Sequence, residues 1–291
     1  MSGPRSAYYL PAPSYWPIIG SIGLFLMLGG AAMLIHEMDH ASYVMGTGFL
    51  TLLIMLFGWF GTVIRESEGG QYNEQVDKSF RLGMFWFIFS EVMFFAAFFG
   101  ALFYARFYAI PWLGGEGEKI STHAFLWPAF EALWPLIKLP DATGFTPALE
   151  PMRASGLPAV NTFILLSSGA TITWAHWGLK QDKRLQLILG LFLTIALGAL
   201  FLALQVVEYS HAYGELQLKL SSGIYGTTFF MLTGFHGFHV TLGTIMLIVI
   251  LLRSVAGHFT ADNHFAFEGV AWYWHFVDVV WLFLFVCVYW L

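Results

Sequence analysis

Seven long apolar stretches, separated by polar or Pro/Gly-rich segments, organise this chain: residues 16–35, 43–64, 81–109, 157–178, 187–207, 223–252 and 271–291. A helix rises about 1.5 Å per residue, so about 20 apolar residues carry it across the hydrocarbon core of a bilayer. Each stretch meets that length. The pattern therefore predicts an all-α membrane protein of seven transmembrane helices, with residues 1–291 forming a single integral-membrane domain. No separator is long enough for a soluble domain. The longest, 111–156, carries Trp112, Trp127, Trp134 and six of the eleven prolines, a composition that suits either an interfacial segment or a plain spacer. The chain has no internal repeat, which weakens a transporter built from duplicated halves.

Composition supports the membrane reading: 58% of residues are hydrophobic, 19% aromatic and 11% charged, against roughly 25% charged in an ordinary soluble domain. The net charge of −5 is spread over the loops, so no basic face offers a nucleic-acid surface. The lone cysteine, Cys287, can form neither an internal disulfide nor a CxxC metal site. The N-terminus lacks a basic region followed by an apolar run and a small-residue cleavage site, so the first apolar segment is expected to stay in the mature protein. Positive charge orients the helices. Arg5, Arg65, Lys78, Arg81, Lys180, Lys183, Arg184 and Arg253 fall on one side and the opposite short loops hold only Lys219, which puts the N-terminus in the cytoplasm or matrix, the C-terminus on the far side and loop 111–156 facing outward.

The residue with most chemical consequence is Glu91, in the apolar run Phe85-Trp86-Phe87-Ile88-Phe89-Ser90-Glu91-Val92-Met93-Phe94-Phe95. A charged carboxylate at mid-membrane is costly, so Glu91 must be protonated, paired or wetted. Two roles fit: a structural hydrogen bond to a serine or histidine of another helix, or a proton- or lipid-related function. Nothing near in sequence neutralises it, since Arg81 lies about 15 Å back along the helix axis.

Ten histidines invite a haem or metal reading. His36 and His40 stand beside Glu37 and Asp39 at a helix end, where imidazoles are commonly interfacial. His236 and His239 share one helical face, where interhelical hydrogen bonding is the ordinary role of polar side chains and metal ligation the rarer one. His275 and Asp278, also three apart, can satisfy each other as a structural clamp. No cluster has recognisable metal spacing, so the chain is read as binding no metal of its own. Nucleophilic catalysis has no support either, because neither a Gly-x-Ser-x-Gly elbow nor a glycine-rich phosphate loop occurs. Small residues at Gly23, Gly29, Gly30, Gly46, Gly48 and Gly234 predict close helix packing.

Longer motifs carry a family likeness. Trp16-Pro17, Val63-Ile64-Arg65-Glu66-Ser67, Ser90-Glu91-Val92-Met93-Phe94-Phe95, Ser168-Gly169-Ala170-Thr171-Ile172-Thr173-Trp174-Ala175-His176, the stretch from Gln205 to Tyr209, Gly234-Phe235-His236-Gly237-Phe238-His239-Val240 and 271–285 resemble cytochrome c oxidase subunit III of the haem–copper oxidases. The resemblance covers nearly the whole chain. It implies seven helices in a two-plus-five, V-shaped arrangement with a lipid-filled cleft, and a non-catalytic core subunit of a proton-pumping terminal oxidase that sustains proton uptake and turnover stability. It further implies that haem and copper reside in partner subunits, the catalytic haem–copper subunit I and subunit II, while this chain binds structural phospholipid.

By the same resemblance Glu91 occupies the position of the family's carbodiimide-reactive glutamate, and Trp59 and Arg253 fall where family members contact lipid. Arg253 is suited to a phosphate near the interface. His264 and Glu268 lie in the similar stretch that follows. Tyr72 stands where mitochondrial members have a histidine near a lipid headgroup. Loop 111–156 is longer than in mitochondrial members, which points to a bacterial protein in the inner membrane with a periplasmic C-terminus. Two other readings carry distinct signatures: an autonomous transporter relaying protons through Glu91, His236 and Asp278, and a membrane haem protein using His236 with a second imidazole.

Overall fold

The computed structural model describes residues 9–141 and 144–291; Arg5, counted above in the charge distribution, lies outside them. Nine α-helices occur among the described residues: α1 (Trp16–Ile35), α2 (Ala41–Glu68), α3 (Glu74–Tyr104), α4 (Ile110–Leu113), α5 (Ile120–Leu126), α6 (Leu157–Lys180), α7 (Arg184–Gly214), α8 (Gly223–Ala256) and α9 (Phe265–Leu284). Strands are absent from the described residues, and the all-α membrane class holds. Six helical spans, 16–35, 41–68, 74–113, 184–214, 223–256 and 265–290, are long and apolar enough to cross a membrane. The seventh expected segment is the 24-residue α6. It has the length but interrupts its apolar run with Asn161, Thr162, Ser167, Ser168, Thr171 and Thr173; the hydroxyls donate to carbonyls one turn back in the same helix, whereas the Asn161 amide is buried without a hydrogen-bond partner among the described residues.

Local chemistry sets the helix ends. The third helix starts at Glu74 rather than Arg81, because Asn73 Oδ1 accepts the backbone N–H of Val76 at 3.0 Å and caps the first turn. A π-helical turn, Ala105–Ala109, then joins α3 to α4. It sits just before Pro111, which falls in the first turn of α4, where a missing N–H costs no ladder bond. At the other end of the membrane sequence, Gly257 closes α8 with φ 87°, the left-handed conformation that costs glycine least. The side chain of Arg184, at the start of α7, donates to the carbonyls of Ser254 and Val255 at 2.8 and 2.7 Å and satisfies that helix end.

Backbone packing divides the chain into two compact units, one ending at Phe80 and one running from Arg81 to Leu291. In the first, α1 and α2 pack closely through small residues. A Cβ on Gly30 or Gly48 would collide with the backbone of Met45 or Met27 respectively, whereas Gly29 and Gly46 face open space. Glycines one or two residues away from those contact positions therefore do no packing within the unit. Trp16 Nε1 donates to Thr62 Oγ1 at 3.3 Å and ties the start of α1 to α2.

In the second unit α6 to α9 build the core. Trp274 and Trp281 of α9 are fully buried, and their indole N–H groups donate to Ser168 Oγ and Thr162 Oγ1 of α6, each at 2.9 Å. Thr171 of α6 and Thr194 of α7 share a hydrogen bond of 2.8 Å. Polar pairs of this kind hold membrane helices together, where lipid supplies no hydrophobic drive for one helix to meet another.

Candidate functional site

Helix α3 presents Glu91 to α8. Its Oε2 lies 2.9 Å from His239 Nε2, while His239 Nδ1 lies 2.6 Å from the carbonyl of Phe235 one turn earlier. That carbonyl can only accept, so Nδ1 carries a proton and donates, leaving Nε2 facing the carboxyl group. One further proton must sit between Nε2 and Oε2. It belongs either to a carboxylic acid donating to a neutral imidazole or to an imidazolium donating to a carboxylate. The pair therefore holds one shared proton in an apolar box. Phe94 and Phe95 approach the imidazole at 5.8 and 5.0 Å between ring centres, and Tyr273 stacks on it at 6.3 Å. Tyr273 Oη also donates to the His239 carbonyl at 3.4 Å. The imidazole is almost wholly enclosed, but the Glu91 side chain keeps 21% of its surface open.

His236, three residues away on the same helix, points elsewhere. Its Nε2–H donates to the Val277 carbonyl at 3.1 Å, and its ring rests on Phe201 and Trp281 in the core. Asp278 Oδ2 lies 3.6 Å from His275 Nδ1, and His275 Nε2 lies 3.3 Å from Thr173 Oγ1. Asp278 is accommodated because position 169 is glycine: a Cβ there would overlap the carboxylate oxygen. Glu91, His236 and Asp278 thus each take a different partner, and the geometry does not join them into a relay.

Trp59 lies on α2 in the first unit with 44% of its surface exposed. Arg253, in the last turn of α8, sets its guanidinium 4.6 Å over the ring of Phe259, a stacking that fixes the planar group near the helix end. Tyr72 Oη donates to Glu66 Oε2 at 2.8 Å, and its ring packs edge-on against Tyr9 and Phe80. Burial, followed by the neighbouring Glu66 carboxylate, pushes the Tyr72 phenol well above its ordinary ionisation range.

Two groups escaped the sequence reading. Helix α7 does not end at Val207 but continues to Gly214, which buries Glu208 at 1% exposure; its position just past the apolar run had marked it as loop. The second group comprises His176, His264 and Glu268, whose ligand atoms lie within 4.8 Å of one another. His264 and Glu268 stand four residues apart at the start of α9, but His176 comes from α6, 88 residues earlier, so no local spacing brings the third member to the pair.

A family model described as cytochrome c oxidase subunit III matches residues 6–126 and 117–291. The chain belongs to the cytochrome c oxidase subunit III family. Curated relatives named cytochrome c oxidase subunit 3 agree: those of Dugong dugon and Cyprinus carpio are each 42% identical over 280 residues, and that of Equus caballus is 41% identical over the same length. Each match covers 96% of this chain and 95% of the relative. With six spans long and apolar enough to cross a bilayer, this subunit III chain is a multi-pass membrane subunit of the oxidase.

Proposed function

We propose that this subunit III chain is non-catalytic and supports proton uptake and turnover stability of the catalytic haem–copper subunit I, alongside subunit II, while binding structural phospholipid. Haem and copper belong to those partners. The observation that carries the reading is the Glu91–His239 pair at 2.9 Å. A single proton held between a carboxyl and an imidazole in an aromatic box is a poised donor, and the partly open carboxyl gives it an exchange path. Phospholipid is held by Arg253, whose fork of N–H donors matches a phosphate, and by Trp59, whose exposed indole suits the interface of acyl chain and headgroup.

The chain sits in a bacterial inner membrane with its N-terminus cytoplasmic and its C-terminus periplasmic. Arg65, Lys78, Lys180, Lys183, Arg184 and Arg253 then all lie toward the cytoplasm, as the distribution of positive charge in membrane proteins requires.

Removal of the chain from the purified oxidase tests this. Oxygen consumption is expected to start near the intact rate at acidic pH and to decay sooner over repeated turnovers, with an initial deficit that grows as pH rises and protons become scarce. Progress curves that overlay the intact ones at every pH would reduce the chain to an assembly part.

A further inference from the structure

His176, His264 and Glu268 form a site that the shared-proton pair does not use. His176 Nε2 lies 3.5 Å from His264 Nε2 and 3.5 Å from Glu268 Oε1, and His264 Nε2 lies 3.3 Å from Glu268 Oε1. The three atoms mark a nearly equilateral triangle. A tetrahedral zinc ion with ligands at about 2.0–2.1 Å sets its donor atoms about 3.3–3.4 Å apart. An octahedral ion at the same bond length would draw them to about 2.9 Å, and the larger calcium ion prefers an all-oxygen shell. Edge length and donor type thus agree on a tetrahedral ion of the zinc class.

The surroundings prepare the three donors. His264 Nδ1 donates to the Thr260 carbonyl at 3.0 Å, which fixes the tautomer and aims the Nε2 lone pair at the triangle. Arg81 of α3 holds the other carboxylate oxygen, Glu268 Oε2, and so turns Oε1 inward. His264 and Glu268 are buried and His176 only partly exposed. His264 Nε2 and Glu268 Oε1 thus both present lone pairs to His176 Nε2; a proton on His176 Nε2 can bridge to them, whereas a divalent cation, with His176 in its other tautomer, takes all three atoms as ligands.

We propose that His176, His264 and Glu268 bind one divalent transition-metal ion of the zinc class, with a fourth position left to water, and that this ion clamps α6 to α9 at the end of the membrane bundle rich in lysine and arginine. The clamp is independent of the proton role argued for Glu91.

The test uses the whole oxidase complex, stripped with a chelator and re-equilibrated with Zn²⁺ alone. Metal analysis is expected to find one more zinc per complex in the wild type than in His264→Asn or Glu268→Gln, and His275→Asn should keep the wild-type content. If these variants fail to assemble, comparison of the wild-type complex with complex depleted of this chain replaces them, and the zinc is expected to leave with the chain. Zinc-edge X-ray absorption of the extra ion should show two imidazole ligands and oxygen. Equal zinc content with and without the chain, or in the variants and the wild type, would mean that the cluster holds only a proton and would overturn the site.

Discussion

The phenol of Tyr289, in the π-helical segment Phe285–Trp290 that follows α9, donates a 2.5 Å hydrogen bond to Oε1 of the buried Glu208 on α7. The Tyr289 phenol and one carboxyl oxygen of Glu208 thereby satisfy one another across helices, while Glu208 Oε2 stays buried without a hydrogen-bond partner among the described residues. Tyr289→Phe would keep the packing and remove the donor. The complex is expected to lose about 1–2 kcal/mol of stability, read as a lower melting temperature of the purified oxidase, and an unchanged melting temperature would show that Glu208 draws its support elsewhere.

Glu91→Gln is expected to leave assembly and electron transfer largely intact. The glutamine amide has nearly the same shape and still donates to His239 Nε2, but it removes the ionisable proton. Carbodiimide labelling of this subunit should disappear while cytochrome oxidation at acidic pH persists. Complete loss of oxygen reduction in an assembled complex would instead make Glu91 part of an obligatory pathway.

If Arg253 and Trp59 hold phospholipid as proposed, Arg253→Ala would remove charge-assisted hydrogen bonds to a lipid phosphate and Trp59→Ala would loosen the acyl chains beside the indole. Bound phospholipid should fall in each variant, by at least one molecule per complex in Arg253→Ala. Native mass spectrometry of the purified complex reads this directly, and an unaltered lipid count would remove both residues as anchors.

Tyr72 gives a prediction with a sign. Its phenol ionises at higher pH in the folded chain than its ordinary value of 10.0, so folding favours the protonated form. The stability this contributes is complete below about pH 10, the value for the unfolded chain, and is lost as pH rises through the folded value. Tyr72→Phe should therefore flatten the alkaline decline in thermal stability above about pH 10. An identical alkaline slope in wild type and variant would count against the burial of the Tyr72 phenol beside Glu66.

Apolar length announced the membrane class, because the bilayer imposes it on every helix independently of its neighbours. The Glu91 environment was readable only as a demand for a partner. His239, 148 residues away, could not be named because helix register across a bundle is decided by tertiary packing and leaves no periodic trace. His236 and His239 looked equivalent on one face, yet three residues on a helix turn the side chain far enough for one to meet α3 and the other the core. Glu208 was hidden by a boundary error, since hydropathy falls at a carboxylate whether or not the helix stops there. The His176–His264–Glu268 cluster depends on the ends of α6 and α9 meeting, and a linear spacing rule has no access to that.

Gly169 and Asp278 occupy one volume between them: the carboxylate of one fills the space where the other would carry a side chain. Their energetic contributions therefore cannot be added separately. Gly169→Ala alone should displace the Asp278 carboxylate from His275, whereas the same change in an Asp278→Ala background should cost little. A double-mutant cycle would register the difference as a coupling of about 0.5–3 kcal/mol. Divergence at either position is then contingent on the state of the other, and substitutions here have an order in which they can be accepted: the aspartate must shorten before the glycine can grow.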